Sequence, residues 1–119
     1  MGSYNLGPFN QSLSDKIDLF VHSVYDLTGS FPRDEIFGAT SQLRRSALSV
    51  ALNFTEGYAR CSTNELHRFL KISYGSLKEA LYLVRFAYKR KWIESDNHQK
   101  IEDLGDEISR MLWSIFSRK

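Results

Sequence analysis

The stretch Ser41–Arg60, SQLRRSALSVALNFTEGYAR, carries leucines on both of its faces, two adjacent arginines and a line of small polar residues. Its apolar positions recur at three- and four-residue spacing without apolar–polar alternation, so it reads as a helix from about Thr40 to Tyr58. At about 100° per residue, Leu43, Ala47, Val50, Ala51 and Phe54 gather on one side as a core stripe. Leu48 and Leu52 fall nearly opposite, beside Arg44. Between the two apolar sides runs a seam of Ser46, Ser49, Asn53 and Gly57, edged by Arg45, Glu56 and Arg60. Packing against one core needs a single apolar stripe. This helix is therefore expected to have two burial surfaces, one inside its own subunit and one against a partner.

The same periodicity runs through the rest of the chain. A first helix is expected to open at Ser12 or Ser14 as N-cap, to bury Ile17, Phe20, Val21, Val24 and Leu27, and to stop at Gly29. SFPRDEIFG, Ser30–Gly38, reads as a connector with a helical turn after Pro32. Ser62 and Glu65 match a capping box that opens a third helix running to about Lys91. A fourth helix, capped by Ser95 or Asp96, carries one stripe of Ile101, Leu104, Ile108, Met111, Leu112 and Ile115. Short connectors between long amphipathic helices predict an all-α, antiparallel up-and-down four-helix bundle. The expected organisation is a flexible N-terminal segment over 1–11 and a single bundle domain over 12–119.

Composition sets wide bounds. A chain of 119 residues with 42% hydrophobic and 25% charged side chains suits one globular domain. One cysteine, Cys61, excludes an intrachain disulfide. No apolar run approaches the ~20 residues of a membrane span, and the first ten residues lack a secretory pattern; a cytoplasmic location without membrane contact is expected. The net charge of +2 hides an uneven distribution. Residues 1–36 carry two basic and five acidic side chains, 37–92 ten basic and three acidic, and 93–119 four basic and six acidic.

The third helix repeats the two-sided pattern. Leu66, Phe69, Leu70, Leu77, Ala80, Leu81, Val84 and Tyr88 form its core stripe, while Ile72, Leu83 and Phe86 lie off it. Burying one such side chain is worth ~1.5–3 kcal/mol, so a homo-oligomer is expected. Its interface would use Leu48, Leu52, Ile72, Leu83 and Phe86, with Arg44, Arg45, Asn53, Glu56 and Arg60 fixing its register. His67, Lys71, Lys78, Arg85 and Lys89 share another side of the third helix within about 40°, flanked by Tyr74 and Tyr82. Aligned cations can track phosphates and interleaved tyrosines can stack on bases. Lys71, Lys78, Arg85, Lys89, Tyr74 and Tyr82 are thus the candidate nucleic-acid-binding residues, the other reading being an ordinary solvated face.

Other chemistry finds little support. His22, His67 and His98 stand in no Glu-x-x-His pattern, so no metal is expected. Cys61 lacks the partners of a nucleophile, no phosphate-binding glycine loop is present, and no cofactor is expected. Glu56, with Arg45, Arg60 and Asn53 nearby, reads as a polar network rather than a catalytic cluster.

FPRDEIFGATSQLRRSALSVALNFTEGYAR, 31–60, followed by ELHRFLKISYGSLKEALYLV, 65–84, resembles a bacterial family of four-helix-bundle proteins encoded in intervening sequences of large-subunit ribosomal RNA genes. That family is similar in turn to the accessory protein of diversity-generating retroelements. The resemblance covers about Leu13–Phe116 and rests most on Phe31-Pro32, Phe37-Gly38, Ser41-Gln42, Arg44-Arg45, Ser49, Asn53, Glu56-Gly57, Arg60 and Gly75-Ser76-Leu77. It departs in the second helix, where Ser49–Asn53 lacks a proline that members often carry. The resemblance implies a ring-shaped homopentamer with no enzymatic activity. For the retroelement branch it implies RNA or DNA binding and contact with a reverse transcriptase through a basic surface. The combined expectation is a non-enzymatic, oligomeric, nucleic-acid-binding bundle, with a protein-interaction scaffold as the alternative.

Overall fold

The computed structural model describes residues 6–118, which fold as four helices: α1 Gly7–Thr28, α2 Ala39–Ala59, α3 Thr63–Lys89 and α4 Ser95–Phe116. A 3-10 turn, Arg33–Glu35, lies between α1 and α2. Each helix packs beside the one before and the one after, α4 closes against α1, and diagonal pairs stay apart. The result is the expected up-and-down bundle, about 43 × 24 × 24 Å, with no strand among the described residues. One end holds the finish of α1 and α3 and the start of α2 and α4; the opposite end holds the other four termini.

The helix starts differ from expectation in two places. Helix α1 begins at Gly7, not at Ser12 or Ser14, which both lie inside it. Pro8 sits in the first turn, where its missing N–H leaves no bond unmade. The added turn is anchored: Asn10 Nδ2 donates to the Leu6 carbonyl (3.1 Å), and the Tyr58 hydroxyl donates to Asn10 Oδ1 (2.9 Å), tying α1 to α2. Of the segment expected to be flexible, residues 1–5 lie outside the described residues and 7–11 are helical. Helix α4 has Glu94 in the cap position, without a side-chain cap bond, instead of Ser95 or Asp96. Asp96 falls in the first turn, where its charge meets the positive end of the helix dipole. At α3 the Ser62 hydroxyl accepts from the Glu65 N–H (3.1 Å) as the sequence predicts. The reciprocal arm of the box is missing because the Glu65 carboxylate pairs with Arg68 (3.2 Å), whose hydrogen bond holds it below the usual carboxylate range.

The Asn10–Tyr58 tie makes a pH-dependent prediction. Burial raises the Tyr58 pKa, and the charge of Arg118 lowers it by less. The neutral phenol is the form the fold favours, so its stabilisation is full below the ordinary value near 10 and is lost as pH rises through the raised one. Tyr58→Phe is expected to cost about 0.5–1.5 kcal/mol at neutral pH. In urea titrations the gap between wild type and variant should narrow above pH ~10; a gap independent of pH would contradict this role.

Leu13, Ile17, Phe20, Val24, Leu43, Val50, Leu70, Leu77, Leu81, Val84, Ile108 and Leu112 fill the centre and are all but inaccessible to solvent. The predicted core stripes lie here, with Leu27, Ala51, Leu66, Phe69, Leu104, Met111 and Ile115 half-buried at its margin; Tyr88 departs from its stripe, 39% exposed in the last turn of α3, where the His98 ring stacks on it. The small-residue seam of α2 faces α3 of the same chain. Ser73 Oγ donates to the Val50 carbonyl (2.7 Å), and the Ser49 and Ser76 hydroxyls share a 2.7 Å bond that Asn53 Nδ2 extends by donating to Ser49 Oγ (3.0 Å). A Cβ on Gly57 would lie 3.2 Å from Leu66 and Phe69, so the glycine sets how closely α2 and α3 approach. Gly105 does the same for α4 and α3, since a Cβ there would lie 2.5 Å from Leu81 Cδ2. Aromatic clusters close the bundle: Phe31 and Phe86 pack on Trp92 at 5.3 and 5.8 Å, and toward the other end Tyr74 and Phe116 pack on Trp113 at 5.7 and 5.3 Å.

Candidate nucleic-acid interface

Lys71, Lys78, Arg85 and Lys89 all project into solvent from the side of α3 that adjoins α4, with His67 half-buried at one end. From Lys71 to Lys89 the row spans about 27 Å at 1.5 Å per residue. Lys71, Lys78 and Lys89 have no carboxylate partner within ion-pair distance among the described residues. Arg85 differs. Glu102, across on α4 and largely shielded, takes its Nε at 3.0 Å and its Nη2 at 3.1 Å. That bidentate pair neutralises one cation of the row, and a phosphate would have to displace it.

His98 completes the cluster around Glu102. Its ring lies flat on Tyr88 at 4.0 Å, and its Nε2 is 3.2 Å from Glu102 Oε2 but off hydrogen-bonding angle, leaving that nitrogen unpartnered. The two candidate tyrosines separate. Tyr82 is 64% exposed, with no ring packed on it among the described residues, and offers an open ring. Tyr74 is half-buried against Trp113 and Phe116, with Lys78 Nζ 5.1 Å from its centroid, so its ring is a packing element.

The candidate interface residues also divide. Leu48, Leu52, Ile72 and Phe86 are exposed on the outer faces of α2 and α3, Leu52 at 65%. The Ser49–Ser76 bond fixes the antiparallel register that brings Leu52 level with Ile72. Leu83 is half-buried against the core. Arg44 works within the chain, its Nε donating to Thr28 Oγ1 (2.7 Å) while its guanidinium lies 4.7 Å from the Tyr25 ring. Asn53 belongs to the α2–α3 junction. Glu56 pairs with Arg60 at 2.7 Å, and Arg60 and Arg68 both lie over the Phe69 ring. Arg45 is exposed and joins neither, so Arg45, Asn53, Glu56 and Arg60 do not converge as one network. Cys61 is exposed, and no metal-ligating group forms among the described residues.

Glu102, His98 and Tyr88 escape sequence reasoning because their meeting depends on the α3–α4 register. Phe37, 95% exposed in the first connector, also escapes it. The available signal was an apolar pair, Ile36-Phe37, between helices with no core position to fill. Charge is segregated across the bundle: α1 and α4 carry three basic and eight acidic side chains, α2 and α3 seven basic and three acidic.

A family model described as 23S rRNA-intervening sequence protein matches residues 12–114. The chain belongs to that family. The 23S rRNA-intervening sequence protein fold recurs in the crystal structure of a protein of unknown function from the S23 ribosomal protein family of Bacteroides thetaiotaomicron. The likeness has a TM-score of 0.85 at 20% identity and covers 93% of this chain and 100% of that one. At that identity the likeness is one of fold. No curated protein matches the chain. Neither the family's description nor the neighbour's names an enzymatic activity. No helix among the described residues is long and apolar enough to cross a membrane.

Proposed function

We propose that this chain is a non-enzymatic, self-associating cytoplasmic bundle that binds structured RNA, or a ribonucleoprotein, along the α3 edge that adjoins α4. The observation that carries the reading is the row of three lysines, Lys71, Lys78 and Lys89, without a carboxylate partner among the described residues, on one rigid helix beside the open ring of Tyr82. Cations held at fixed spacing replace the counterions of a phosphate backbone, and an exposed aromatic ring adds base stacking. The family's link to ribosomal RNA genes is compatible with an RNA ligand. Within this reading, a reverse transcriptase is the protein partner that the retroelement resemblance implies.

Three lysine–phosphate contacts would weaken binding about 20–40-fold between 50 and 200 mM salt. Anisotropy titrations with a labelled fragment of structured ribosomal RNA measure this directly. The triple variant Lys71→Gln, Lys78→Gln, Lys89→Gln should bind far more weakly at low salt, with the slope of log K against log salt reduced by about two to three. Unaltered binding by the triple variant would remove the lysine row from the function. A wild type that ignores RNA at low salt would favour a protein-interaction scaffold, a reading supported by the exposed Leu52 and Phe37.

A further inference from the structure

We propose that His98 is a proton-operated gate on the RNA-binding edge: its protonated ring draws Glu102 away from Arg85, and Arg85 then joins the lysine row. The inference rests on the RNA reading above and adds a regulation to that same edge. Three cations of the row, Lys71, Lys78 and Lys89, have no carboxylate partner within ion-pair distance among the described residues. Arg85 is held twice by Glu102, Nε to Oε2 at 3.0 Å and Nη2 to Oε1 at 3.1 Å. A guanidinium committed to a bidentate carboxylate offers a phosphate little until that pair opens.

The third member of the cluster supplies the means to open it. His98 stands one turn before Glu102 on α4, and its Nε2 lies 3.2 Å from Oε2, the same oxygen that takes Arg85 Nε. That nitrogen is buried and makes no hydrogen bond. In a neutral ring it either faces the carboxylate with a lone pair or carries its proton off the hydrogen-bonding angle. In the imidazolium both nitrogens are donors and the ring bears a full charge, so the same contact becomes an ion pair. The Tyr88 ring, stacked on His98 at 4.0 Å, offers that cation an aromatic face.

Which partner leaves follows from exposure. The side chains of His98 and Glu102 are 19% and 18% exposed, that of Arg85 55%. Attraction between charges grows as water is excluded, so the shielded pair gains most, and the solvated guanidinium loses least by turning outward. Around the ring, α3 contributes Arg85, Tyr88 and the following Lys89, and the connector Arg90, Lys91 and Glu94, whose carbonyl accepts the His98 N–H (2.9 Å). Toward α1, Asp26 and Lys100 line the groove on another side of α4, and Lys16 is paired with Glu107 (3.6 Å) further along it. Helix α2 does not pack on α4. Among the described residues Glu102 alone brings a carboxylate within ion-pair distance of the His98 ring. One proton taken from solvent thus converts an Arg85–Glu102 pair into a His98–Glu102 pair and one free arginine. The row gains a fourth cation.

Two measurements between pH ~8 and ~5.5, the range in which imidazoles titrate, test the gate. In NMR of the isotope-labelled, RNA-free chain, the Arg85 Nε–H resonance should move with the same midpoint as the His98 ring and stand still in His98→Gln. An Arg85 signal that ignores His98 would overturn the gate whatever RNA does. In anisotropy titrations at ~0.1 M salt, acidification should tighten binding of a structured ribosomal RNA fragment about fivefold, the worth of one added phosphate contact. The slope of log K against log salt should steepen by about 0.7–0.9. His67, the other imidazole beside the row, is the control: the gain should vanish in His98→Gln and in Arg85→Gln but persist in His67→Gln. Loss of the gain in His67→Gln, or its survival in Arg85→Gln, would overturn the proposal. A wild type that binds no RNA at either pH would overturn the RNA reading and the gate's role in it, while the Arg85 resonance still decides whether the pair opens.

Discussion

Replacing Phe20 with alanine is expected to remove about 3–5 kcal/mol of stability, a large share of the 5–15 kcal/mol that holds most domains folded. Phe20 is fully buried on α1, and Ile17, Val21 and Val24 around it are buried too. Truncation removes the apolar contacts of a whole ring and leaves a hole that four helices, fixed by their own packing, can only partly close. For a chain of this length the melting temperature should fall by about 12–20 °C. Thermal and urea unfolding followed by circular dichroism would measure it. A loss below 1 kcal/mol would mean that α1 is not seated in the core as described.

Gly105→Val should be nearly as damaging, at about 3 kcal/mol. The first added carbon would already lie 2.5 Å from Leu81 Cδ2 and 3.1 Å from Cδ1, and Leu81 is too deeply buried to swing aside. Relief requires α4 to move away from α3, which would disturb the Arg85–Glu102 pair as well. Gly75 supplies the contrast. It too lies inside a helix, but a Cβ there meets nothing within 4 Å. Gly75→Ala should therefore raise stability by about 0.5–1 kcal/mol through helix propensity alone. If both glycine substitutions shifted the urea midpoint in the same direction, the close approach of α4 to α3 would be wrong.

Helix number, core stripes and the Ser62 cap were legible because they depend on local periodicity and on one side-chain-to-backbone bond. What was not legible depended on which helix lies next to which. The seam of Ser46, Ser49, Asn53 and Gly57 correctly marks a close helix approach, but its residues cannot say whether the approaching helix is α3 or another chain. Arg44, read as an interface cation, is held by Thr28, sixteen residues earlier. Arg85 looked as available as the three lysines until the α3–α4 register brought Glu102 beneath it. Tyr74 shared the helical phase of the lysine row, yet Trp113 and Phe116 arrive from α4 to cover it. The early start of α1 was hidden because Pro8 marks a first turn only when something downstream, here Tyr58, secures that turn.

The two aromatic clusters also make the molecule self-reporting. Trp92 sits with Phe31 and Phe86 beside the connector that carries Phe37, whereas Trp113 sits with Tyr74 and Phe116 toward the opposite end. Each end of the bundle thus has its own intrinsic fluorophore, and the chain has no third tryptophan to blur the two. Emission from Trp113→Phe follows events at the end that carries Phe37, and emission from Trp92→Phe follows the far end, without an added label.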